Sequence, residues 1–221
     1  MAATTDNFNR ANETPVAGNW DSGPGSWDNV NLNTNACRLA TAGTNGAASY
    51  KTTARTFNSD HYSQIALKTF NWAASFGEMG PVTRMQGTGA NAGDCYWFEA
   101  MDNPDFKLFR VDDASGSLTF NQLGATITTP DPAQTNTLKL ESSGSSHTMY
   151  QNGSSLRAAD TDATYTGGQP GFAVRAPSTP ASFEVDDWEA DDLGGGGGRT
   201  TKNTRAFPLG TEVGMNWRMA H

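Results

Sequence analysis

Cations, histidine and cysteine are all scarce in this 221-residue chain, and each scarcity closes off a class of function. Lysine and arginine number 15 against 23 Asp and Glu, a formal net charge of −8. Nucleic-acid binding needs clustered cations to displace counterions, so the composition argues against a nucleic-acid partner. Two cysteines, Cys37 and Cys95, and three histidines offer no zinc-site spacing. A disulfide between the cysteines is open but not implied. Both sit in strand-like stretches, and buried free thiols are expected. No apolar run approaches the roughly 18 residues of a membrane span. Met1 leads into Ala-Ala-Thr-Thr-Asp with neither the basic start nor the apolar core of a secretory signal. The expectation is synthesis in a cytoplasm, followed by release into a virion or other extracellular assembly. Sustained helical periodicity is missing too, as are a phosphate loop, a dinucleotide fingerprint and a G-x-S-x-G elbow.

What the chain does have is glycine, 24 residues of it, and short alternating segments separated by Gly, Asn, Asp, Ser and Pro. Tyr62–Phe70 alternates apolar Ile65 and Leu67 with polar neighbours. Cys95–Met101 is aromatic-rich, as a sandwich core strand should be. Further strands are expected at Phe106–Val111, Ser117–Leu123, Thr137–Glu141, His147–Gln151, Pro170–Arg175 and Ala181–Leu193. Roughly a dozen short strands with close turn signals predict an all-β sandwich or jelly roll.

Five consecutive glycines, Gly194–Gly198, divide a β-patterned body (1–193) from a tail (199–221). The tail carries +3, which leaves −11 for the rest. Phe207, Leu209, Val213, Met215 and Trp217 fall on its odd positions, a strand with one apolar edge. Five glycines span about 12 Å, so such a strand can dock on its own body or on a neighbour by β-augmentation. Other protein subunits, including further copies of this chain in a homo-oligomer, are its expected partners.

The order of signals in the body resembles concanavalin A-like, laminin G-like jelly rolls. Asp6-Asn7-Phe8-Asn9-Arg10 with Gly18-Asn19-Trp20 is similar to the family's opening. Tyr150-Gln151-Asn152-Gly153 resembles its hairpin, and Gly168-Gln169-Pro170-Gly171-Phe172 its late strand entry. Phe183-Glu184-Val185-Asp186-Asp187-Trp188-Glu189-Ala190 resembles its closing strand. The resemblance implies that the first and last strands pair, with Trp20 and Trp188 in or near the core. It also implies glycan binding or a structural role, and fold alone does not choose between them.

Three candidate sites follow. Glu184, Asp186 and Glu189 spell E-x-D-x-x-E, the strand pattern of laminarinase-type glycosidases. Glu189 shares a face with the other two only through a bulge, and the motif sits at the end of the body. A polar terminal strand is therefore expected, not a hydrolase. Asp6, Asp186 and Asp187 are candidates for a structural Ca²⁺, which takes several oxygen ligands. Trp27, in the loop after Gly23-Pro24-Gly25-Ser26, and Trp72, at a strand end, are candidates for stacking on a cell-surface glycan. The combined expectation is a non-enzymatic structural or adhesive protein of a large assembly. A phage-type virion component with a lectin-like body and an anchoring tail fits it, and a free-standing carbohydrate-binding module is the alternative.

Overall fold

A computed structural model describes residues 2–70, 77–87, 92–101, 105–114, 116–128, 136–176 and 178–194. The strands in chain order are β1 (Thr4–Asp6), β2 (Trp20–Ser22), β3 (Val30–Leu32), β4 (Cys37–Leu39), β5 (Asn45–Tyr50), β6 (His61–Phe70), β7 (Glu78–Met85) and β8 (Cys95–Met101). They continue with β9 (Asp105–Asp113), β10 (Leu118–Thr128), β11 (Thr137–Ser143), β12 (Ser146–Gln151), β13 (Ser154–Ser155), β14 (Asp160–Thr161), β15 (Gln169–Arg175) and β16 (Phe183–Asp192). A single 3₁₀ turn, Pro180–Ser182, is the one helical element among the described residues.

Two antiparallel sheets stack as a sandwich. The first runs β13-β12-β11-β6-β16-β4-β3, with β1 also on β16 and β14 also on β12. The second runs β10-β9-β8-β7-β15-β5-β2. Strand β6 shows why the layers form. Its His61, Ser63, Ile65 and Leu67 are buried, while Tyr62, Gln64, Ala66 and Lys68 face outward, the period-two pattern of a half-buried strand. Opening and closing strands pair as expected, Thr4 opposite Ala190 and Asp6 opposite Trp188. Trp20 and Trp188 meet edge to face in the core with ring centroids 4.7 Å apart. Cys37 and Cys95 are buried free thiols.

The second sheet is unusual in being apolar on both faces. Tyr96, Phe98, Phe106, Leu108 and Phe172 point into the main core between the sheets. Their alternate neighbours Cys95, Trp97, Val111 and Ala173 point the other way. With Trp27, Ala47, Val82 and Met85 they form a second, smaller cluster. Strands β7 and β8 are accordingly buried along almost their whole length. That second cluster is what builds the site.

Candidate functional site

Parity fixes what stands on the outer face of the second sheet. On β8 the residues sharing Trp97's side are Glu99 and Met101. On β9 they are Lys107 and Phe109, and on β10 Phe120. The registers then place these residues side by side. Lys107 lies opposite Glu99 and Phe109 opposite Trp97. Arg175 on β15 lies opposite Glu78 on β7 and opposite Asn45 on β5. These nine residues line one cavity of about 290 Å³.

One wall is aromatic. Phe109 and Phe120 meet edge to face with centroids 6.0 Å apart, and Trp97 lies 5.9 Å from Phe120. Both phenylalanines are only partly buried and pack on the smaller cluster. The opposite wall is charged. Nη1 of Arg175 donates to both Glu78 oxygens at 2.8 and 3.0 Å. Glu99 is 4% exposed. Burial and then the adjacent Glu78 carboxylate push its carboxyl up to about 9, against the pull of Lys107 and Arg175. Glu99 therefore keeps its proton at neutral pH and donates it to Glu78.

Two residues that line this cavity each carry a fully buried polar atom with no hydrogen-bond partner among the described residues, the Trp97 indole nitrogen and the Asn45 side-chain oxygen. Trp97 is 1% exposed. Leaving a buried donor unpaired costs about 1–3 kcal/mol, and native proteins tolerate it mainly where water or a ligand completes the bond. The cavity combines an apolar ring surface with the charged Arg175–Glu78 wall, the mix of apolar lining and a few polar groups that small-molecule sites share.

The residues singled out from sequence fall elsewhere. Trp27 is 4% exposed, so its assignment to an exposed stacking platform is corrected. Its indole donates to the Gly93 carbonyl at 2.8 Å, and its ring packs edge to face on Trp97 and Phe120. The loop before it is drawn inward because the Asp113 carboxylate accepts from the amide and hydroxyl of Ser26. Trp72 lies outside the described residues. So do Phe207, Leu209, Val213, Met215 and Trp217, on which the assembly and virion expectations rest.

Asp6 and Asp187 line one cavity of about 360 Å³, which Asp186 does not join, and the three do not form a calcium cage. Asp6 accepts from the Phe8 amide and the Trp20 indole, both at 2.8 Å, and pairs with Arg10 at 2.8 Å. Asp186 pairs with Lys68 at 3.4 Å. Asp187 is exposed, with a φ of +43° at a bulge. Among the described residues no group of three or more His, Cys, Asp or Glu can hold a metal ion. The donor set does not fit Ca²⁺, which needs several oxygens free to converge.

The E-x-D-x-x-E strand does contain its bulge, between Asp186 and Glu189. Glu184, Asp186 and Glu189 consequently share the outer side of β16 while Val185 and Trp188 stay buried. Each carboxylate is committed: Glu184 accepts from Thr69 at 2.9 Å and lies 3.6 Å from Arg38, and Glu189 accepts from the Tyr62 hydroxyl.

Sequence reading missed Asn45, Glu78, Glu99, Lys107, Phe109, Phe120 and Arg175. One signal was present. Glu99 is the lone charge in Cys-Tyr-Trp-Phe-Glu-Ala-Met, and a carboxyl in so apolar a strand asks for a reason.

No protein-family model matches the chain, and neither does any curated protein. Solved structures do. The carbohydrate-binding module CBM66 from Bacillus subtilis superposes with a TM-score of 0.53 at 16% identity, covering 76% of this chain and 91% of that one. A variant of the Emp46p carbohydrate recognition domain gives 0.53 at 15%, covering 79% and 88%. The exoplasmic/lumenal domain of VIP36 in its Ca²⁺/Man2-bound form gives 0.52 at 14%, covering 84% and 86%. The body is a concanavalin A-like jelly-roll sandwich. Among the described residues no helix is long and apolar enough to cross a membrane.

Proposed function

We propose that this protein is a non-catalytic carbohydrate-binding domain whose site is the cavity on the outer face of the second sheet. The observation that carries the reading is one cavity in which the partly buried rings of Phe109 and Phe120 face the Arg175–Glu78 pair. A sugar ring presents an apolar C–H face and a rim of hydroxyls. The face suits the phenylalanine rings, and the rim suits the charged wall. Superposition on domains described as carbohydrate-binding supports the same class.

Glycan-array screening followed by calorimetry tests this. Saccharide binding that falls at least tenfold in Phe120→Ala, with the melting temperature preserved, is the expected result. Absence of binding across a broad array would overturn it, as would binding that Phe120→Ala leaves untouched.

A further inference from the structure

We propose that the saccharide this cavity prefers carries a carboxylate, as a uronic or sialic acid does. The inference rests on the carbohydrate-binding reading and concerns the chemistry of the same site. Its basis is an imbalance between free donors and free acceptors.

The two acidic side chains of the site are spent on partners within it. Glu78 has both oxygens on Nη1 of Arg175 and accepts the Glu99 proton. Glu99 is neutral in this setting. The cations are not spent. Lys107 has no hydrogen-bond or ion-pair partner among the described residues, although it faces Glu99 across the β8–β9 ladder. Arg175 uses one nitrogen on Glu78 and leaves Nε and Nη2 without a partner there, and its side chain is 44% exposed.

Facing the cavity are therefore Glu78 from β7, Glu99 from β8, Lys107 from β9 and Arg175 from β15. With Glu99 protonated they sum to one positive charge. A neutral sugar offers each of these cations only a hydroxyl. A carboxylate offers two acceptor oxygens and the opposite charge, and charge-assisted bonds are about twice as strong as neutral ones. Arginine's fork matches carboxylate geometry in particular. The rest of the molecule sets a limit. At a formal charge of −8 the overall field repels polyanions at low salt. The site therefore suits a single carboxylate seated in the cavity, not a densely sulfated chain.

The test is calorimetry on oligosaccharides of glucuronate, galacturonate, mannuronate and sialic acid, each beside its carboxyl-reduced counterpart. At least one acid should bind tenfold or more tightly than its reduced form. In Lys107→Gln the ratio of the two affinities should fall toward one. Acid and reduced forms binding equally, or the reduced form binding better, would overturn the inference and leave the carbohydrate-binding reading standing. Neither form of any of these sugars binding would overturn the inference, and the carbohydrate-binding reading falls with it only where the broad array is silent too. A preference unchanged in Lys107→Gln and in Arg175→Gln, each confirmed folded by its melting curve, would place the carboxylate elsewhere and overturn the assignment.

Discussion

The indole nitrogen of Trp20 donates to Oδ2 of Asp6 at 2.8 Å, which ties the opening strand to the aromatic centre of the sandwich. Trp20 is 2% exposed. Its ring lies within 5.6 Å, centroid to centroid, of Phe8, Tyr50, Phe172 and Trp188. A buried indole N–H needs an acceptor, and Asp6 supplies it while also holding the Phe8 amide and Arg10.

Asp6→Ala should therefore act far beyond strand β1. It strands the Trp20 N–H in the core and leaves Arg10 with Glu13 as its remaining partner, a loss of about 2–3 kcal/mol by the usual cost of removing a charged acceptor. Asp6→Asn keeps an acceptor oxygen and should recover part of that. Urea midpoints of the three proteins check it, and an unchanged midpoint in Asp6→Ala would remove the role.

His61 predicts a pH dependence. Its Nδ1 donates to the Asn58 carbonyl at 2.7 Å, and its Nε2 accepts from the Arg84 amide at 3.2 Å. Since the carbonyl only accepts and the amide only donates, the imidazole is fixed neutral. Burial, with Arg84 nearby, pulls it down to about 4 from the ordinary 6.5. The folded value lies below the unfolded one, so the unfolded chain takes up the proton first. The stability is fully present above pH 6.5 and is lost as pH falls toward 4, by about 3 kcal/mol. His147 shifts in the same direction, also by burial first. Depressed carboxylates such as Asp162, held near 2 mainly by the Tyr96 hydroxyl against its own burial, act only at lower pH. Glu99, raised to about 9, gains stability over the same range, so the measure is a difference: between pH 7 and 4.5 the parent's urea midpoint should fall relative to that of His61→Gln, and a constant difference would remove the role.

Gly80 predicts a backbone limit next to the cavity. A Cβ there would stand 1.6 Å from the Phe98 carbonyl oxygen, a contact no rotamer relieves. Gly80→Ala must push β7 away from β8 and should cost about 3 kcal/mol or more, at or beyond the upper end for overpacking. Thermal unfolding measures it, and a loss below about 1 kcal/mol would mean the ladder adjusts freely.

The same glycine explains part of what sequence reading could not see. Tyr62–Phe70 and the closing strand were readable because each carries its alternation on its own residues. Strand β7 was not. Gly80 and Pro81 break its pattern, and proline argues against a central strand. The ladder to β8 accommodates them by passing from Met79 opposite Ala100 to Val82 opposite Trp97. Trp27 misled for a related reason. Gly23-Pro24-Gly25 reads as an exposed turn, but the groups that draw it in, Asp113 and the Gly93 carbonyl, lie far along the chain. The cavity itself draws on β5, β7, β8, β9, β10 and β15. Alternation assigns each residue a side of its strand, but neighbour order and register, which bring Lys107 beside Glu99, follow from the assembled sheet.

Glu99 gives the last prediction, with the opposite sign to His61. Its carboxyl is pushed up to about 9, burial being the largest cause and Glu78 the next. A folded value raised above the ordinary 4.5 means the unfolded chain releases the proton first. The stability that protonated Glu99 contributes is complete below pH 4.5 and drains away as pH rises through 9. Ionised Glu99 would be a second carboxylate against Glu78, buried at 4% exposure, and such a charge is costly unless paired. Glu99→Gln keeps the shape and an N–H to donate to Glu78 but cannot ionise. It should unfold at a higher urea concentration than the parent at pH 9, and the gap should close as pH falls to 5. Glu99→Ala does not restore the donor to Glu78, so it should show no comparable gain at pH 9. If Glu99→Gln gains nothing at pH 9, the carboxyl pair does not share a proton.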